Sequence, residues 1–414
     1  MVTGEPDAQV AWRGSSHRPG GCCMSVIVIG DIGVIDGMMH IGDEAMFEAA
    51  AAELAARGVD VVGVSSVPDE SAERYGVGTV PRLGFAGLDR DAAAARSELL
   101  VAAASGRAAL AADDPATAVV EAVRAASGVL VAGGGNLASR WPVHIHERGT
   151  LAAMARSLGL PVVVSGQTLG PDLIETDAAA VRELLGTAAL AAVREPTSAA
   201  LAASWGVPVR LGVDDASFLG GDGPDERSGI VVSVSGWFDH RPPAEVEASL
   251  ARLIDHAAGV VGGPVRFHAH FGPLDPAAEP RGDAALHERI RAHLTVPSEV
   301  VPTGDSLHSA ALARSAALVI TSRYHPAVFA APAGVPTLGL VADAYTQIKL
   351  SGVLGHWGEP ATATLDELDA RARTLVDDLD AARSRIRDET DARRPAHRAA
   401  YTAWWDDVAA VLAR

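Results

Sequence analysis

ALVITSRYHPAVFAAPAGVPTLGLVADAYTQIK, residues 317–349, carries the alternation on which the fold reading rests. An apolar, β-prone run ends in Thr321-Ser322-Arg323-Tyr324-His325, Pro326 opens a helical pattern, and a second strand (336–341) runs into a loop that reaches Lys349. Strand, helix and strand in that order form the unit of a parallel sheet. The strand-to-helix turn holds an arginine and a histidine, and a lysine lies beyond the next strand. In open α/β sheets, turns at the carboxyl ends of strands bind ligands, and the free amides of a helix start attract anions. The stretch therefore predicts an anion site together with a fold class.

The same alternation runs outward from Met24. Strands predicted at 26–30, 60–64, 128–132, 161–165, 190–193 and 209–213 alternate with helices at 43–57, 90–111, 115–126, 147–158, 174–185 and 196–205. They form one doubly wound domain, 24–220. The polar, turn-rich stretch 220–226 reads as a linker. A second domain, 227–390, is predicted from strands at 230–235, 265–268, 299–301, 318–321 and 337–341, with helices at 244–260, 283–293, 306–314, 326–333 and 365–389. The tail, 391–414, is a helix whose Trp404 and Trp405 require a large packing partner, so it is expected to cross back onto the first domain. The predicted fold is α/β, with two Rossmann-like doubly wound domains facing across a cleft.

Composition narrows the function classes. Hydrophobic residues make up 48% of the chain and aromatics only 4%, so the core must be aliphatic. The net charge of -18, from 52 acidic against 34 basic residues, argues against nucleic acid or an anionic membrane as the main partner. Any anion site must be a local cluster of cations. The only two cysteines, Cys22 and Cys23, are adjacent, which excludes a disulfide framework and fits a cytoplasmic setting. Residues 1–23 lack the apolar segment of a signal peptide and read as a disordered leader, with Met24 as a candidate initiator. No apolar run approaches the ~20 residues of a membrane span.

Arg194, before Glu195-Pro196, repeats in the first domain the layout of Arg323 in the second. Two arginines at carboxyl ends of strands, on opposite walls of a cleft, suit bidentate binding of carboxylate or phosphate; the competing reading for Arg194 is an ion pair with Glu195 or Asp214. Gly134 and Asn136, in the Gly133-Gly134-Gly135-Asn136 turn, are candidates for substrate contact, or else a tight turn; the pattern is not a dinucleotide fingerprint. In the loop Asp31 to Asp43, Asp36 and His40 are placed to touch a sugar hydroxyl, while Asp43 is placed to cap the following helix. His268 and His270 end a second-domain strand, but two histidines without a third ligand predict no metal. His144 and His146 call for no functional reading.

Taken in order, Gly42-Asp43-Glu44-Ala45, Gly133-Gly134-Gly135-Asn136-Leu137, Gly166-Gln167-Thr168-Leu169-Gly170-Pro171, Val193-Arg194-Glu195 and Ser322-Arg323-Tyr324-His325 resemble the polysaccharide pyruvyl transferase family. The resemblance covers most of 24–354; Tyr324 and Pro326 depart from the residues usual there. It implies a GT-B-like fold with the first domain on the acceptor side and the second on the donor side. It also implies transfer of pyruvate from phosphoenolpyruvate to hydroxyls of a sugar or glycan in cell-envelope polysaccharide biosynthesis, with a ketal formed, phosphate released and no cofactor beyond the phosphoenolpyruvate co-substrate. By resemblance, Arg194, Arg323 and Tyr324 hold the donor, His325 is donor ligand and general acid, with Arg323 beside it in the catalytic pair, and Lys349 assists the phosphate. Acceptor contacts are expected from Asp36, Asp43, Gly134, Asn136 and His268. The alternatives are a GT-B glycosyltransferase with a nucleotide-sugar donor and a non-catalytic sugar- or anion-binding relative.

Overall fold

The structure, a computed structural model, describes residues 25–413. The leader reading for 1–23, Met24 and the Cys22-Cys23 pair lie outside the described residues.

Two parallel sheets organise the chain. In the first, the spatial order is Gly78–Pro81, Val61–Ser65, Val26–Ile32, Gly128–Val131, Val162–Leu169, Leu190–Val193, Arg210–Leu211, with the short strand Gly134–Leu137 pairing beside Val162–Leu169. In the second it is Ser298–Val301, Val265–His268, Ile230–Ser233, Leu318–Thr321, Thr337–Val341, Thr362–Thr364. The central strands are buried on both faces, which is why they read as unbroken Val/Ile/Leu runs. Strand order reverses between Val26–Ile32 and Gly128–Val131 in one sheet and between Ile230–Ser233 and Leu318–Thr321 in the other. At such points neighbouring loops diverge and leave a crevice. Asp31 and Gly133 stand at the first reversal, and Arg323 and His325 at the second.

A third, two-stranded sheet was not foreseen. Met38–His40 of the first domain pairs antiparallel with Phe271–Pro273 of the second, His40 opposite Phe271. Strands of three residues are too short to show a period-2 pattern in sequence. The ribbon ties the two domains together along one side of the cleft.

Several predicted boundaries move. The helix expected to open at Pro326 begins at Tyr324 and ends at Ala330, with Arg323 at its N-cap, so Pro326 is its third residue. Lys349 lies on a helix, Ala344–Gly355, rather than in a loop; Asp343 caps that helix through a reciprocal bond with Thr346. Asp43 does not cap: the helix Ile41–Ala56 starts two residues before it, and its carboxylate turns back to His40. The single helix predicted over 365–389 is divided into a 3₁₀ turn at Leu365–Glu367, a helix at Arg371–Ala381 and the start of Arg383–Leu412.

Arg383–Leu412 runs 30 residues through Pro395. A mid-helix proline normally breaks a helix; here tertiary contacts on both sides of it hold the helix. Just before the proline, Arg394 donates to the Pro332 carbonyl of the second domain (2.8 Å). Further along, Tyr401 donates to the Asp215 carbonyl (2.9 Å) and Trp404 Nε1 to Ser165 Oγ (3.0 Å), both in the first domain. Trp405, 0% exposed, joins a core shared by Phe47 of the first domain and Phe329 of the second. The outer face of each sheet has its own separate core.

Candidate active site

A cavity of about 570 Å³ opens between the two domains, lined by the carboxyl-end loops of both sheets. Its cations come from both walls. Arg194 follows the strand Leu190–Val193 and is 1% exposed; Nε donates to Thr168 Oγ1 (2.9 Å) and Nη1 to Asp214 Oδ2 (2.7 Å). Burial works against its charge, but Asp214 and Glu195 more than offset it and hold the guanidinium protonated. Arg194 is thus an ion-pair member and a cavity residue at once. Arg323, from the second domain, donates from Nε and Nη2 to the buried Asp283 carboxylate (2.8 and 2.6 Å). This bidentate pair aims the remaining edge of the guanidinium.

Tyr324 is buried between the two sets of cations. Its ring lies 4.3 Å from the Arg194 guanidinium carbon and 5.0 Å from Lys349 Nζ. Lys349 also donates to Tyr345 Oη (3.1 Å), and burial first, then the charge of Arg194, pushes its pKa down to about 7. Tyr345 donates across the cleft to the Gly135 carbonyl (2.7 Å).

His325 is 8% exposed, and its Nε2 has no hydrogen-bond partner among the described residues; the nearest carboxylate is Asp214 Oδ1 at 3.9 Å. Burial first, then Arg194 and Lys349, outweighs Asp214 and Asp43 and pushes its pKa down to about 4. The start of the helix Ile41–Ala56 packs directly on this ring. A Cβ at Gly42 would sit 2.1 Å from His325 Nδ1, so only glycine fits there. Gly135 has a similar constraint: a Cβ would come within 2.5 Å of Tyr345 Oη and 3.2 Å of Lys349 Nζ.

Acidic and neutral polar groups share the lining with the cations. Asp31 is held by Arg82, by Asn136 Nδ2 (3.3 Å) and beside His144 Nε2 (3.5 Å). His40 Nδ1 and Asp43 Oδ2 pair at 2.7 Å. Asp36 reaches the cavity from a left-handed turn (φ 51°), where Arg281 binds its carbonyl at 2.6 Å. Among the described residues no group of three His, Cys, Asp or Glu side chains has the arrangement of a metal site.

The structure therefore brings together Arg194, Arg323, Tyr324, His325, Lys349, Asp36, Asp43 and Asn136. It does not bring in His268, which is buried in the second domain and bonded to Ser309 Oγ (2.8 Å); His270, beyond the strand end, faces the cavity instead. Gly134 sits behind the lining against Gln167, and its neighbour Gly135 lines the cavity instead. His144, set aside in the sequence, lines the cavity, as do Asp31, Trp141 and Tyr345. For Asp31 a signal existed, since it ends the first strand. For the others none did, because each is carried in by a helix whose partner is remote in sequence.

At the rim, Trp237 is 48% exposed; its Nε1 donates to Asp343 Oδ2 (3.0 Å), the same oxygen that Arg140 binds at 3.0 Å. Arg140 lies 4.9 Å from the Trp237 ring centre and 5.6 Å from that of Trp141.

The sequence model of the family described as Polysaccharide pyruvyl transferase matches residues 40–343, well over half of the chain and all of the cavity walls but the Asp31–Asp36 loop, Met38, Tyr345 and Lys349. The chain belongs to the polysaccharide pyruvyl transferase family. It is accordingly a transferase. No curated protein matches it in sequence. Solved structures show the fold of this pyruvyl transferase family member to be GT-B-like. A UDP-GlcNAc 2-epimerase from Neisseria meningitidis bound to UDP-GlcNAc superposes with a TM-score of 0.54 at 11% identity, over 90% of this chain and 95% of that one. A UDP-glucosyltransferase from Polygonum tinctorium gives 0.54 at 13% identity over 94% and 99%. The S. aureus MnaA-UDP co-structure gives 0.55 at 12% identity over 90% and 92%. Among the described residues no helix is long and apolar enough to cross a membrane.

Proposed function

We propose that the protein transfers pyruvate from phosphoenolpyruvate to two hydroxyls of a sugar or glycan, forming a ketal and releasing phosphate. The observation that carries this reading is the convergence of Arg194, Arg323 and Lys349, from both domains, on one cavity beside the unpartnered nitrogen of His325. A donor with a carboxylate and a phosphate needs several cations at fixed angles, and such preset charges stabilise the departing phosphate. Asp31, Asp36 and Asn136, in the same lining, suit sugar hydroxyls, and the exposed ring of Trp237 offers an apolar face for a sugar at the rim.

His325 supplies the proton that turns the donor's methylene carbon into a methyl group. The imidazole by itself is neutral at pH 7, since burial holds its pKa at about 4. The negative charges of a bound donor raise it, because an adjacent opposite charge favours the protonated imidazole. The lack of any cysteine framework supports a cytoplasmic setting for the reaction.

Thermal-shift measurements with phosphoenolpyruvate and with UDP-sugars, followed by a phosphate-release assay with methyl hexopyranosides as acceptors, test the reading. Stabilisation by phosphoenolpyruvate, lost in Arg323→Ala, together with phosphate release is the expected result. Stabilisation by UDP-sugars alone would overturn it in favour of a nucleotide-sugar glycosyltransferase.

A further inference from the structure

The proposed addition requires a base as well as an acid: one acceptor hydroxyl must lose its proton as its oxygen attacks the central carbon of the donor. His325 cannot serve both ends. Within the same cavity one other imidazole is held by a carboxylate. His40 Nδ1 lies 2.7 Å from Asp43 Oδ2, one helical turn away. That bond occupies Nδ1–H and leaves the lone pair on Nε2. The ring is fixed from behind, because His40 ends the interdomain ribbon and packs on Phe271 with centroids 5.4 Å apart. Its side chain lines the cavity and is 46% exposed. Between His40 and Asp43 in sequence lies Gly42, the residue in contact with His325. The dyad and the acid thus stand side by side.

We propose that His40, oriented by Asp43, is the base that accepts the proton of the attacking acceptor hydroxyl, an assignment that rests on the pyruvyl-transfer reading. The step balances as follows. Oxygen of the first hydroxyl bonds to the central carbon, its proton passes to His40 Nε2, and the double-bond electron pair takes a proton from His325 to make the methyl group. The second hydroxyl then bonds to the same carbon as the carbon–oxygen bond to phosphate breaks. Its proton restores His325, and His40 gives its proton to the departing phosphate. Both histidines return to their starting states.

The surroundings of His40 agree with a base active near neutrality. Burial lowers its pKa, but the charge and hydrogen bond of Asp43 outweigh that and raise it overall; Asp31 adds to the rise, and Arg323 opposes it. His270 is held neutral by burial, His325 is neutral until the negative charge of the donor raises its pKa, and Lys349 also acts on Asp43.

The test compares wild type, His40→Gln and Asp43→Asn by phosphate release from phosphoenolpyruvate with methyl hexopyranosides between pH 5 and 9. Thermal shift with phosphoenolpyruvate and ¹⁵N-histidine NMR titration accompany it. The wild-type rate is expected to fall on the acid side as His40 protonates. His40→Gln should lose that limb and about 10²- to 10⁴-fold in rate while keeping the donor-induced shift. Asp43→Asn should move the limb, and the NMR titration of His40, to lower pH. An acid limb that persists in His40→Gln, or loss of donor stabilisation in parallel with rate, overturns the assignment. If wild type releases no phosphate, the pyruvyl-transfer reading itself falls and the assignment with it.

Discussion

At the residue scale, the cleft is a contest between burial and charge pairing, decided differently for each cation. Asp214 and Glu195 hold Arg194 protonated and Arg323 is ion-paired with Asp283, whereas Lys349 leans on two tyrosine rings and is pushed down to about 7 by burial and by Arg194. A neutral Lys349 must take up a proton to pair with a phosphate. Donor affinity should therefore be lost as pH rises through 7, by roughly tenfold per unit above it for this one proton. In Lys349→Arg, whose guanidinium stays charged, that component should vanish. Calorimetric titration of phosphoenolpyruvate between pH 6 and 9 measures both; an identical pH dependence in the two proteins would remove Lys349 from the donor site.

At the element scale, the helix Ala344–Gly355 is the part that delivers chemistry to the cleft. It carries Tyr345 and Lys349 in its first two turns, and Asp343 at its N-cap also receives Arg140 and Trp237. Removing a good N-cap costs about 1 kcal/mol. Asp343→Ala should thus lower stability by about that amount in urea denaturation. It should lower donor affinity further, since the same change frees the Arg140 and Trp237 rim and loosens the turn that aims Lys349. Equal donor-induced thermal shifts in mutant and wild type would show that the cap is structural only. The ribbon of Met38–His40 with Phe271–Pro273 is a second tie between the domains at the cleft.

On the scale of the whole molecule, the two domains share a core instead of merely facing each other. The helix Arg383–Leu412 seals it, and Trp405 is its largest fully buried side chain. Replacing such a residue by alanine typically costs about 3–5 kcal/mol. Trp405→Ala should show a loss of that size in urea denaturation. Donor affinity should fall with it, because the domain faces that carry Arg194 and Arg323 are held in register by this core. A loss below about 1 kcal/mol, well under the usual range, would mean that the helix is not what fixes the domains.

The sequence by itself determined the parallel α/β class, the alternation that builds each sheet, and the placing of Arg194, Arg323 and His325 at carboxyl ends of strands. These follow from local periodicity and turn chemistry, which act over a few residues. Only the tertiary structure decided what those residues meet. Asp283 comes to Arg323, Asp214 to Arg194 and Gly42 to His325 across separations of 20 to some 280 residues. It also turned Asp43 from a helix cap into the partner of His40, drew His144 and Tyr345 into the cavity and left His268 in the core. Burial and charge pairing depend on which surfaces are pressed together when two sheets and a terminal helix close on one core. No local pattern in the chain encodes that contact.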